Sequence, residues 1–207
     1  MKSTDALGDL LQLKRPLIET REAAVRLGVS ISRASHLLDG LDQAGLVARI
    51  RPGLWTLETE IDPLRVPPYL TAPYPAYISF WSALARHGMI EQVPRQIFVA
   101  SLDRTRRVTT KLGTYSIHHL APEVFGGYVR SAEDVYVATP EKALFDTVYV
   151  LVQRGGDIFL PEVELPKGFR ADEVEGWLAR VRRPRLRTLV SRGLSRSLSA
   201  AGWRLRS

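Results

Sequence analysis

Five polar residues crowd one short stretch of this 207-residue chain: Ser30, Ser32, Arg33, Ser35 and His36. Two more cations follow in Arg49-Ile50-Arg51, where alternation along a strand puts both arginines on one face. These residue types suit a DNA duplex. A guanidinium presents paired N–H donors that match the O6 and N7 edge of guanine, and a serine hydroxyl can meet a base or a phosphate. Arg33 is therefore the candidate base reader, with Ser30, Ser32, Ser35 and His36 around it. Arg49 and Arg51 suit phosphates or a minor groove. A second polar group, Glu141, Lys142 and Asp146, is spaced along what reads as the start of a helix. There Glu141 meets the positive helix end, while Lys142 and Asp146 stand one turn apart. On an exposed helix such a pair contributes only ~0.2–0.5 kcal/mol.

The first group needs elements to aim it. Asp5 to Lys14 reads as a short helix with Leu7, Leu10 and Leu11 on one side. Thr20 is an expected N-cap for a helix from Arg21 to Leu27 that buries Ala23, Ala24 and Leu27. Gly28 ends that helix, because only glycine enters the left-handed conformation of a tight exit without strain. Ser30 caps a third helix whose Ala34, Leu37, Leu38 and Leu41 form one apolar stripe, so the arginine and serines point the other way. Gly45 closes it. Leu46 to Arg51 and Leu54 to Leu57 read as strands joined by a Pro52-Gly53 turn. Helix, helix, glycine turn, helix and hairpin is the order of a winged helix-turn-helix, here residues 1–60. A small Ala24 where the helices cross and Gly28 in the turn fit that packing.

Five of the 13 prolines fall between Ile61 and Pro75, which predicts an extended linker over 61–75 and a body over 76–207. Hydrophobic residues are 45% of the chain and charged residues 25%, the balance of a globular protein. No apolar run approaches the ~20 residues of a membrane span. The first residues lack a secretory signal, and there is no cysteine for disulfides, thiolate zinc sites or cysteine nucleophiles. The expectation is a cytoplasmic protein with no membrane partner. The net charge of +7 is uneven: nine arginines and no acids lie between Gly176 and Ser207, while the rest carries 20 basic and 22 acidic side chains. That tail suits a nucleic acid or an acidic protein, or serves as a solvated helical face.

In the body, Ser79 to His87 reads as a helix, and Gln96 to Ser101, Arg107 to Lys111, Thr114 to Leu120 and Val135 to Ala138 as strands. Thr139 caps a further helix with Pro140 at its first position and Leu144, Phe145, Val148, Leu151 and Val152 on its buried face. Two more helices follow, the last with Leu186, Leu189, Val190, Leu194 and Leu198 inward. The fold class is α+β: a winged helix-turn-helix, then a mixed-sheet α/β domain with a helical, arginine-rich tail. No phosphate loop or dinucleotide fingerprint occurs. His118 and His119 point to opposite faces of a strand, so no metal site is expected there.

The segments Thr20–Leu57 and Tyr77–Val150 resemble the AbiEi antitoxins of abortive-infection type IV toxin–antitoxin systems. In the head the likeness lies in Ala23-Ala24-Val25-Arg26-Leu27-Gly28-Val29-Ser30, Gly45-Leu46-Val47 and Arg51-Pro52-Gly53-Leu54-Trp55. In the body it lies in Tyr77-Ile78-Ser79-Phe80-Trp81-Ser82-Ala83-Leu84, His87-Gly88, Gly113-Thr114-Tyr115 and Ala138-Thr139-Pro140-Glu141-Lys142-Ala143-Leu144-Phe145-Asp146.

The resemblance implies an autoregulatory transcriptional repressor. Its head binds operator DNA with inverted repeats, as a monomer or weak dimer cooperating on the site. Its body neutralises a nucleotidyltransferase-like toxin, without an obligatory stable complex. Glu141, Lys142 and Asp146 are then candidates for neutralising the toxin. No cofactor is expected. An alternative makes the body an enzyme that modifies the toxin by phosphoryl transfer. In it Lys142 holds phosphate oxygens and Asp146 or Asp134 binds magnesium, with ATP as donor. Another alternative is a plain transcriptional regulator with no antitoxin activity.

Overall fold

A computed structural model describes residues 3–58, 60–155, 163–200 and 202. The fold is α+β, and the chain divides into two compact units: 1–69 with 109–113, and 70–108 with 114–207.

Unit 1 begins with α1 (Ser3–Leu11), β1 (Leu17–Glu19) and α2 (Thr20–Leu27). α3 (Ile31–Gln43), β2 (Ala48–Arg51) and β3 (Leu54–Thr56) follow. The apolar stripes meet as their spacing requires: Leu10, Ala23, Ala24, Ala34, Leu38 and Leu41 share one core with Ile18, Val47 and Trp55. Gly28 takes φ 63 at the exit from α2. Ser30 caps α3, its hydroxyl accepting the Arg33 N–H at 3.2 Å. Three details depart from the sequence reading. Leu11, expected on one side of α1 with Leu7 and Leu10, is exposed. The hairpin gains a third strand, for the sheet order is β1-β3-β2. Thr20 is not the cap of α2; Glu19 is, and its N–H donates to Glu22 at 3.1 Å. Thr20 is buried, and its hydroxyl accepts the indole N–H of Trp55 at 2.9 Å. An unpaired N–H buried there would cost about 1–3 kcal/mol.

The proline-rich segment is not extended. Asp62 accepts the Leu64 N–H at 2.9 Å and opens a 3-10 turn over Pro63–Arg65, and Pro67–Thr71 forms a short helix, α4. Proline at the first positions of a helix removes only donors that have no partner there anyway.

Unit 2 is built on a mixed sheet. Its strands are β4 (Ala76–Ile78), β5 (Ile97–Ser101), β6 (Arg106–Thr110), β7 (Gly113–His119), β8 (Tyr128–Arg130) and β9 (Tyr136–Ala138), in the order β6-β7-β5-β4-β9-β8. β4 runs antiparallel to β5 and parallel to β9, and β5 runs parallel to β7. The helices are α5 (Phe80–Arg86), α6 (Pro140–Gln153), α7 (Ala171–Ala179) and α8 (Pro184–Ala200).

Thr139 caps α6 as its sequence predicts, accepting the Lys142 N–H at 3.3 Å. The single buried face expected of α6 is an underestimate. Every residue from Glu141 to Val150 is buried, because α5, α7 and α8 all pack on this helix, whereas Leu151 and Val152 are only half-buried. On α8, Val190, Leu194 and Leu198 face inward, while Leu189 is exposed. Among the described residues no helix is long and apolar enough to cross a membrane.

Candidate nucleic-acid interface

The apolar stripe of α3 fixes what its other side can do. With Ala34, Leu37, Leu38 and Leu41 buried, Ser32, Arg33 and His36 are exposed and Ser35 is half-buried. Ser30, at the cap, is exposed too. No acidic residue lies in the first turn. The acids of α3 come later, and both turn toward β2: Asp39 pairs with Arg49 at 3.6 Å, and Asp42 accepts the Arg49 N–H at 3.4 Å. The N-terminal half of the helix is left with serine, arginine and histidine outward.

Arg49 and Arg51 have different surroundings. Arg49 is tied to Asp39, and its guanidinium lies over the Trp55 ring, 5.3 Å from the centroid. Arg51 has no such tie. Its Nε is buried without a hydrogen-bond partner among the described residues. Arg51 lines a groove of about 650 Å³ whose other walls are the start of α2, the Pro52-Gly53 turn, and Ile31, Ser32, Ser35 and His36 of α3. Arg21 adds a second cation and Glu19 one carboxylate. Arg33 is exposed on α3 outside this groove. Sequence reading missed Arg21. Its place at the head of α2, across the turn from α3, was the available signal.

The second predicted group lies in the core of unit 2. Lys142 and Asp146 have no exposed surface and Glu141 is 6% exposed. The Lys142 ammonium donates to Asp146, which also accepts from Tyr77 Oη at 3.0 Å and Ser79 Oγ at 2.7 Å. The same ammonium lies 4.6 Å from the Trp177 ring centroid and 5.1 Å from that of Phe145. Burial pushes the lysine's pKa down and the aspartate's up, each against the pull of its partner. Burial and the Asp146 charge raise the Tyr77 phenol well above its ordinary range, so it stays a donor. Glu141 accepts the Arg170 N–H at 2.9 Å, just ahead of α7.

These three residues therefore join α6 to β4 and α7. An exposed toxin-binding surface cannot be made from Lys142 and Asp146 in this arrangement, nor can Lys142 reach a phosphate. Asp134 serves a different partner, Arg130, on the turn between β8 and β9.

His118 and His119 do point apart: His118 is buried and His119 exposed. Arg154 donates to His118 Nδ1 at 2.8 Å, so Nε2 carries the proton and donates to Ser116 Oγ at 3.0 Å. Burial, then the Arg154 charge, lower its pKa to about 4. A histidine so held cannot take a proton from Ser116, which removes a serine–histidine nucleophile. Among the described residues no three histidines or carboxylates are grouped to hold a metal ion. Seven arginines of the basic tail, Arg180, Arg182, Arg183, Arg185, Arg187, Arg192 and Arg196, are exposed, and Arg180 also lies 4.1 Å over Trp177. Arg204 and Arg206 lie outside the described residues. Compared with known proteins, the sequence matches no protein-family model and no curated protein.

Proposed function

We propose that this chain is a DNA-binding repressor whose unit 1 is a winged helix-turn-helix, and that it acts as the antitoxin of a type IV toxin–antitoxin pair. One observation carries the DNA reading. The outward side of α3 in its first turns holds Ser32, Arg33 and His36 with no acid among them, while the acids of that helix are turned to Arg49. A duplex laid on that side meets donors first, which is what base edges and phosphates accept. Arg51, which lines the groove beside Ser32 and Ser35 and forms no ion pair among the described residues, supports a phosphate contact at the wing.

The antitoxin half of the proposal rests on the AbiEi-like motifs of the body. Operator half-sites related by a two-fold would be filled by two copies. Neutralisation of a nucleotidyltransferase-like toxin falls to the exposed surface of unit 2 rather than to Lys142 and Asp146. The test uses the full chain in cells. A reporter driven by the chain's own promoter is scored for repression, and growth is scored on co-expression with the product of the adjacent gene. Repression and rescued growth are expected. Repression without rescue leaves a plain regulator, and rescue without repression removes the DNA-binding role.

A further inference from the structure

Unit 2 holds a second concavity, of about 760 Å³, that the proposed function does not use. Trp81, near the start of α5, and Phe98 of β5 line it, with Arg107 of β6 and Arg95 of the loop before β5. The two rings are half-buried and the two arginines exposed. No aspartate or glutamate lines the groove, and neither arginine takes part in an ion pair among the described residues.

The backbone that carries the rings is held before anything binds. Ser82, next to Trp81, accepts the Phe98 N–H at 2.8 Å and donates to the Gln96 carbonyl at 3.4 Å, which locks α5 to the start of β5. Phe98 also stacks on buried His118, at 5.9 Å and 9°. The groove thus joins flat apolar surface to two unneutralised guanidinium groups.

A ligand matched to both must carry a planar π face and a negative charge on one short unit. A nucleobase with its phosphate does so: the base stacks on aromatic rings and the phosphate takes charge-assisted hydrogen bonds from arginine. The volume is that of an ordinary small-ligand site. A duplex is excluded, because its bases are already stacked on one another. An acidic peptide would satisfy the arginines and leave the rings without a planar partner.

We propose that this groove binds a nucleotide unit, with the base on Trp81 and Phe98 and the phosphate on Arg95 and Arg107. The source is a free nucleotide or an unpaired base of a single strand.

Quenching of Trp81 emission in the full chain tests it, with Trp81→Phe as the control that isolates the signal. The probes are ATP, a single-stranded 12-mer and polyglutamate. ATP and the 12-mer acting alike at equal nucleotide concentration identify a free nucleotide, and the 12-mer acting alone identifies a strand. In either case Arg95→Ala/Arg107→Ala is expected to weaken binding at least about tenfold. No quenching by either nucleic-acid probe, an unchanged affinity in the double variant, or equal competition by polyglutamate overturns the proposal. Because the readout lies on unit 2, loss of operator binding in Arg33→Ala does not touch it.

Discussion

Lys142 donates to Asp146 one turn further along α6, and neither side chain reaches solvent. The pair is not symmetric in its surroundings. Asp146 also accepts from Tyr77 and Ser79, so removing it strands an ammonium and two hydroxyls, whereas removing Lys142 leaves the carboxylate two donors. Asp146→Ala is expected to cost about 3–5 kcal/mol, and Lys142→Met distinctly less. Denaturant midpoints compare them. Equal losses would show that the hydroxyls contribute nothing.

Gly127 sits against this cluster at φ 71. A Cβ there would lie 2.5 Å from Trp177 Cζ2 and 3.0 Å from Lys142 Cγ and Cδ. Overpacking and the left-handed backbone together make Gly127→Ala worth about 2–5 kcal/mol of lost stability. A melting temperature equal to that of the wild type would mean that α7 does not pack on this turn.

His118 gives unit 2 a pH dependence with a definite sign. Its pKa in the fold is about 4, below the ordinary 6.5, so the folded state favours the neutral ring. Its contribution is full above pH 6.5. It is lost as pH falls from 6.5 toward 4, where the unfolded histidine takes a proton and the folded one does not, and the loss reaches at most about 3 kcal/mol. Unfolding free energies at pH 7.5 and 5 should differ more in the wild type than in His118→Gln. The same pH slope in both proteins would assign the dependence elsewhere.

The two arginines of β2 should separate experimentally. Arg51, unpartnered at the groove, is expected to serve phosphate: Arg51→Ala weakens binding to all duplexes alike and lowers the salt slope by about 1. Arg49, held by Asp39 and Trp55, should affect the fold first, at about 0.5–1 kcal/mol for Arg49→Ala. Binding isotherms from 50 to 200 mM salt and a denaturant curve for each variant decide. A reversal of the two roles would place the phosphate at Arg49.

Local signals in the sequence specified most of the frame. Ser30 and Thr139 cap α3 and α6 where hydroxyl and helix start coincide, and Pro52-Gly53 turns the hairpin, because each of these devices is complete within a few residues. Contacts closed over distance were illegible. Thr20 reads as a cap until Trp55, 35 positions on, claims its hydroxyl. Lys142 and Asp146 read as a surface pair until Tyr77 and Ser79, nearly seventy residues earlier, and Trp177 enclose them. Charge in a sequence suggests solvent, and only the tertiary neighbours reveal otherwise.

The outward side of α3 is the central claim, and Arg33 is its most direct test. Fluorescence anisotropy with the full chain would compare a duplex from its own promoter with variants of that duplex changed one base pair at a time. The expected result for Arg33→Ala is a loss of about 1–3 kcal/mol, with discrimination erased at one base pair and kept at the others. Unchanged affinity and unchanged discrimination in Arg33→Ala would show that another element meets the DNA.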